Sequence, residues 1–133
     1  MSMGARDTVV IDESVHNIYR QLTEGNDLMT APFRTMKDVF LWAACIGSRM
    51  GNGKPILGKK LTIFRWAQFS TQIDLPIIKA IVLSDSQGEI EIIQDQDRTL
   101  QVIENFANAG ISELGNAAVS GSHCIFKLIE MMK

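Results

Sequence analysis

The stretch Thr35-Met36-Lys37-Asp38-Val39-Phe40-Leu41-Trp42-Ala43-Ala44-Cys45-Ile46-Gly47-Ser48-Arg49-Met50-Gly51 decides the fold. Thr35 carries a hydroxyl of the kind that opens helices, placed to accept from the Asp38 amide. From 36 to 50 the sequence is apolar almost all round, and such a helix is buried on most sides, at a domain centre or in an oligomer interface. Gly51-Asn52-Gly53-Lys54-Pro55 stops it, because Gly suits the left-handed position after a helix and Pro55 disfavours helix at Lys54.

Working outward toward the N-terminus, Thr8-Val9-Val10-Ile11 is β-branched and short, and reads as a strand or extended arm. Asp12 or Ser14 then caps a helix over 13–24, with Val15, Ile18, Tyr19 and Leu22 on one face, ended by Gly25-Asn26-Asp27. Strand, helix and buried second helix in this order imitate the ribbon-helix-helix layout, in which two chains pair their strands. Only Arg6 is basic near that strand, while Asp7, Asp12 and Glu13 flank it.

Toward the C-terminus, residues 56–73 form a mixed segment with no clear period. Asp74 is expected to cap a helix with Pro76 in its first turn and Ile77, Ile78, Ile81 and Val82 as its stripe. Residues 84–88 read as a turn, and 89–93 as either a strand or a first helical turn. Asp95 or Asp97 caps a helix with the stripe Leu100, Ile103, Phe106 and Ala107, which Gly110 should interrupt before a short helix over 111–114. A last amphipathic helix uses Ile125, Leu128, Ile129 and Met132. The fold expected is a mainly α single domain over 1–133, with a strand-helix-helix part at 1–55 and a mainly helical remainder at 56–133.

At 133 residues, 46% hydrophobic and 21% charged, the chain can bury a core and is neither disordered nor collagen-like. No apolar run approaches the roughly 18 residues of a membrane span, and the first residues lack the apolar core of a secretory signal. Cys45 and Cys124 suit free thiols of a cytoplasmic protein better than a disulfide framework. The formal charge of −2 conceals an asymmetry: between 33 and 66 seven basic residues stand against one acid, a local +6. Residues 1–32 carry −3 and residues 67–133 carry −5. The basic set is Arg34, Lys37, Arg49, Lys54, Lys59, Lys60 and Arg65, too polar to enter a core. A local basic surface is the electrostatic footprint of a backbone-binding protein, and a solvated loop that pairs with the acidic remainder gives the same pattern.

Motifs for catalysis are thin. Gly51-Asn52-Gly53-Lys54 departs from the phosphate-binding loop, which needs Gly where Ser48 stands and Ser or Thr where Pro55 stands. His16, Cys45, His123 and Cys124 lack zinc-ligand spacing, and a Cys–His dyad needs a meeting in space that sequence does not show. The acids Glu89, Glu91, Asp95 and Asp97 miss the calcium-loop pattern, since Leu100 and Phe106 occupy its glycine and glutamate positions. Trp42, Phe64, Trp66 and Phe69 lie among the cations as core residues or base-stacking platforms. No metal or other cofactor is expected.

The run Thr35–Ala44, followed by Gly47, Arg49, Gly51 and Pro55, resembles the accessory protein 4 family of the DNA phosphorothioation (Dnd) systems. The resemblance continues through Arg65-Trp66-Ala67-Gln68-Phe69 to Ile103-Glu104-Asn105-Phe106-Ala107-Asn108-Ala109-Gly110. The helix and the Trp66–Phe69 segment are also similar to the small, helical, oligomeric E protein of those systems. The resemblance implies association with DNA sulfur modification or its dependent restriction and supplies no reaction. The function expected is a non-enzymatic accessory protein that binds duplex DNA backbone through the 33–66 cations. Its expected partners are other proteins of the system and further copies of itself. The alternatives are a protein–protein adaptor of the same system and a ribbon-helix-helix-type transcription regulator.

Overall fold

The computed structural model describes residues 6–24 and 33–119, with side chains as far as Asn116. In chain order these form strand β1 (Thr8–Asp12), helix α1 (His16–Thr23), helix α2 (Met36–Met50), strand β2 (Lys60–Arg65), helix α3 (Asp74–Asp85) and helix α4 (Gln96–Val119). The architecture is mainly helical with one short two-stranded ribbon, as the sequence leads one to expect. Residues 25–27, the last amphipathic helix, His123 and Cys124 lie outside the described residues.

Helix α2 is built as its sequence asks. The Thr35 hydroxyl accepts from the Asp38 amide at 3.2 Å, and Gly51 ends the helix with φ of 81°. Of the two fates open to an apolar helix, this one takes the domain centre, packed along α4. The seam between them is made of small residues: Ala43, Ala44 and Gly47 on α2, Ala107 and Gly110 on α4. A Cβ on Gly110 would fall 2.8 Å from the Ala43 carbonyl carbon and the Gly47 nitrogen, with the Ala43 oxygen nearer still. One on Gly47 would fall 2.7 Å from the Phe106 carbonyl carbon. Gly110 therefore does not interrupt α4, which runs unbroken through it. The glycine is there because the backbones approach too closely for any side chain.

The strand expectation holds, but β1 finds its partner in its own chain. It pairs antiparallel with β2, from Thr8 opposite Arg65 to Asp12 opposite Lys60. The register shifts between Val9, opposite Phe64, and Val10, opposite Thr62, so Ile63 is an extra residue on β2. A bulge of this kind re-aims side chains. It buries Phe64 and leaves Lys60, Thr62 and Arg65 exposed. The ribbon-helix-helix layout would need that edge of β1 free for a second chain, and β2 occupies it.

Local signals resolve several ambiguities. The helix expected over 13–24 opens as a 3₁₀ turn, Glu13–Val15, capped by Asp12, before α1 begins. Ser70, not Asp74, caps α3: its hydroxyl accepts from the Ile73 and Asp74 amides at 3.1 and 3.0 Å. Residues Ile90–Gln94 are a 3₁₀ turn rather than a strand. Asp95 caps α4, accepting from the Asp97 and Arg98 amides.

The other edge of β1 is stapled to α4 by Glu104. Its carboxylate accepts from the Arg6 guanidinium at 2.6 Å and from the Val10 amide at 2.9 Å. The Asp97 carboxylate accepts from the Arg6 amide at 2.6 Å, and the Gln96 amide group donates to the Arg6 carbonyl. Burial lifts the Glu104 carboxyl above the usual glutamate value, with Arg6 and Val10 pulling against it. Tyr19 on α1 is fully buried, and burial and then the Glu104 charge push its phenol far up. Among the described residues its hydroxyl has no hydrogen-bond partner.

Candidate nucleic-acid interface

The chain from Gly51 to Lys59 crosses from the end of α2 to the start of β2, and it is tied down on both sides. The Lys54 amide donates to the Asn105 carbonyl of α4 at 2.9 Å. The Asn108 side chain donates to the Lys54 and Pro55 carbonyls at 3.0 and 3.3 Å. Gly53 lies close enough to α4 that a Cβ there would meet Asn105 at 3.1 Å. At the far side the Glu13 amide donates to the Lys59 carbonyl at 2.8 Å. A Cβ on Gly58 would stand 3.0 Å from the Asp12 carboxylate. That carboxyl sits below the usual aspartate value because it accepts from the Ser14 amide and hydroxyl, helped by the Gly58 amide and the Lys54 charge. The result is a loop whose two feet are anchored and whose tip, Ile56-Leu57, stands between cations. Ile56 is half-buried and Leu57 is exposed.

The fold divides the seven sequence cations between two ends of the molecule. Arg49, Lys54, Lys59 and Lys60, all exposed, gather where α2 ends and β2 begins. Arg34 and Lys37 stand at the other end of α2, about 22 Å away for a helix of 15 residues. Arg65 joins that second end, since its amide donates to the Gln68 side chain while Lys37 donates to the Gln68 carbonyl. The single basic platform suggested by the chain order is therefore two smaller ones.

Lys37 is also committed. Its ammonium lies 2.8 Å from the buried Asp74 carboxylate, which accepts from the Ser70 amide as well. Burial works to raise the Asp74 carboxyl, but Lys37 and Ser70 outweigh it and hold the group below the usual range. Lys59 approaches Glu13 at 3.7 Å with both side chains largely in water, a geometry worth little. The amides of the Gly51–Lys54 turn do not form an anion cradle, because those of Gly51 and Lys54 donate to the Ser48 and Asn105 carbonyls.

Of the remaining candidates, Phe64 and Phe69 are core: Phe64 meets Phe40 and Phe69 edge-on, Phe69 is tilted against Phe40, and Trp66 packs against Phe69 at 5.3 Å. Trp42 meets Phe33 in the same manner at 5.7 Å. Burial pushes the Cys45 thiol up, away from the thiolate that nucleophilic chemistry needs. Among the described residues no group of three or more His, Cys, Asp or Glu side chains is placed to hold a metal ion. No helix among them is long and apolar enough to cross a membrane.

Two features escaped sequence reading. Leu57 is one, although an apolar residue between Lys54-Pro55 and Gly58-Lys59 is a signal of an exposed tip. Glu104 is the other, and it stands four residues after Leu100 on an otherwise apolar stripe. A charge at such a position implies a buried partner.

A family model described as "DNA sulphur modification system-associated protein 4" matches residues 9–133. No curated protein matches the chain. No solved structure matches it either.

Proposed function

The chain belongs to the DNA sulphur modification system-associated protein 4 family, and from that premise we propose that it is a non-enzymatic accessory component which grips the DNA backbone at the loop end of the molecule. The observation that carries this reading is the gathering of exposed Lys54, Lys59 and Lys60, with Arg49 beside them, on a loop anchored at both feet. Anchored cations meet phosphates without first being ordered, and phosphate contacts position a protein without reading sequence. Arg34, Lys37 and Arg65, at the far end, would serve a duplex long enough to reach from one end of α2 to the other. The Lys37–Asp74 pair makes that end the weaker one.

A salt series tests the reading. Affinity for duplex DNA should fall steeply with salt, and replacing both Lys59 and Lys60 with Ala should reduce the log–log slope by about 1.8. A slope unchanged in the double variant, or no duplex binding at low salt, refutes it.

A protein–protein adaptor within the same system is the second reading. It is favoured by the start of α3, where Ile73, just before the helix, and Ile77 within it are exposed beside exposed Pro76 and Ala80. Recovery of system proteins after nuclease treatment, lost on Ile77→Glu, would support it. Retention of those proteins by the variant would count against it.

A further inference from the structure

Among the described residues the most exposed large apolar side chain is Leu57, 89% accessible to water. The chain on either side of it is tied down. Lys54 and Pro55 on one side hang from Asn105 and Asn108, and Gly58 and Lys59 on the other rest against Asp12 and Glu13. A flexible loop would fold its leucine against the nearest apolar surface. This one holds it out, three residues from Lys54 and two from Lys59.

We propose that Leu57 is a wedge that enters between neighbouring base pairs of duplex DNA, while Lys54, Lys59 and Lys60 hold the phosphates on either side. The faces of stacked bases are the apolar surface that a polyanion offers, and leucine is among the side chains that part a base step. An opened step kinks the duplex by about 20–90°. The flanking cations then match the backbone of the same step, and the anchored loop keeps the wedge in register with them. This proposal deepens the backbone reading and rests on it. Basic residues around an apolar tip also suit an anionic lipid surface. A single short side chain with half-buried Ile56 behind it offers far less apolar depth than an interfacial helix, so duplex DNA is the occupant chosen.

The test uses the whole chain and a duplex of about 20 base pairs with a central TA step, carrying a donor and an acceptor dye at its ends. The wild type should raise energy transfer between the ends and should prefer the TA duplex to one with a central A-tract by severalfold. Leu57→Ala, at an exposed site, should melt as the wild type does and should abolish the energy-transfer change and the TA preference. Its affinity should fall three- to tenfold with the salt slope unchanged. The Lys59, Lys60 double variant should instead flatten the slope. Binding without any change in energy transfer, or equal bending by Leu57→Ala, overturns the wedge and leaves the backbone reading standing. Absence of duplex binding at low salt overturns both. Leu57-dependent flotation with vesicles containing phosphatidylserine, without DNA bending, overturns the wedge in favour of a lipid surface.

Discussion

Replacing Gly110 with alanine tests the central packing of the molecule, because two opposed effects have different signs there. Alanine in place of glycine inside a helix should stabilise by about 1 kcal/mol through backbone propensity alone. Against this, the new Cβ would stand 2.8 Å from the Ala43 carbonyl carbon and the Gly47 nitrogen, where ordinary contact begins at 3.4 Å. Both neighbours are backbone and cannot rotate away, so α2 and α4 must separate by well over half an ångström. A gap of about 0.5–1 Å forfeits a quarter to a half of each dispersion contact along the seam. Overpacking usually costs about 1–3 kcal/mol and occasionally more. A central seam bounded by backbone on both sides belongs just beyond that range, at about 4 kcal/mol. The net loss of about 3 kcal/mol should lower the melting temperature, followed by circular dichroism, by roughly 10 °C. Gly47→Ala should behave alike, and the two together should cost less than their sum because one opening of the seam serves both. A melting temperature equal to or above the wild type for Gly110→Ala would refute the close approach, since propensity would then be the only effect acting.

Tyr19→Phe removes a buried hydroxyl that has no partner among the described residues, and is expected to leave stability unchanged or raise it by up to about 1 kcal/mol in denaturant unfolding; a loss of 1 kcal/mol or more would mean the hydroxyl is satisfied. Asp74→Asn should cost about 1–2 kcal/mol at neutral pH, through loss of the ion pair to Lys37 and weakening of the bond from Ser70. The Asp74 carboxyl lies below its unfolded value of about 3.9, so its contribution is present above that pH and fades as the pH falls through the folded value. The wild-type and variant stabilities, measured by denaturant midpoint from neutral to acid pH, should therefore converge at the acid end. A difference that stays constant with pH would show that the charge of Asp74 is not what stabilises.

The helical plan was legible because α2 announces itself three times over, in Thr35, in the apolar run and in Gly51. Each of those signals is local, and the structure adds nothing to them but a position. The ribbon was half legible: the β-branched residues of β1 read as a strand, whereas β2 did not. Its bulge at Ile63 breaks the alternation, leaving Leu61, Ile63 and Phe64 without a clean period of two. Gly110 misled for a related reason. Glycine weakens a helix taken alone, and only the neighbouring backbone of Ala43 and Gly47 explains why it stands in mid-helix. The cations show the limit most clearly. Arg34 and Arg49 belong to one run in the chain, but a helix lies between them and carries them to opposite ends. Lys37 likewise counts as a positive charge in sequence and is half of a pair with Asp74 in space.

The same seam that sets the core also positions the loop. Gly53 and Lys54 meet α4 at Asn105, and Asn108 holds Lys54 and Pro55, within about a turn and a half of the helix leading up to Gly110. Were the two helices held apart by ordinary side chains, as most helix pairs are, the end of α2 would stand off from α4. The loop would then have to reach across a gap, and hydrogen bonds of 2.9–3.3 Å do not tolerate a displacement of half an ångström or more. The small residues at 43, 47, 107 and 110 thus serve two purposes with one geometry: they close the core, and they bring α4 within hydrogen-bonding reach of the segment that carries Lys54 and Leu57. The loop is anchored because the seam is tight, and the proposed surface of four cations and one leucine would depend on glycines that lie outside it.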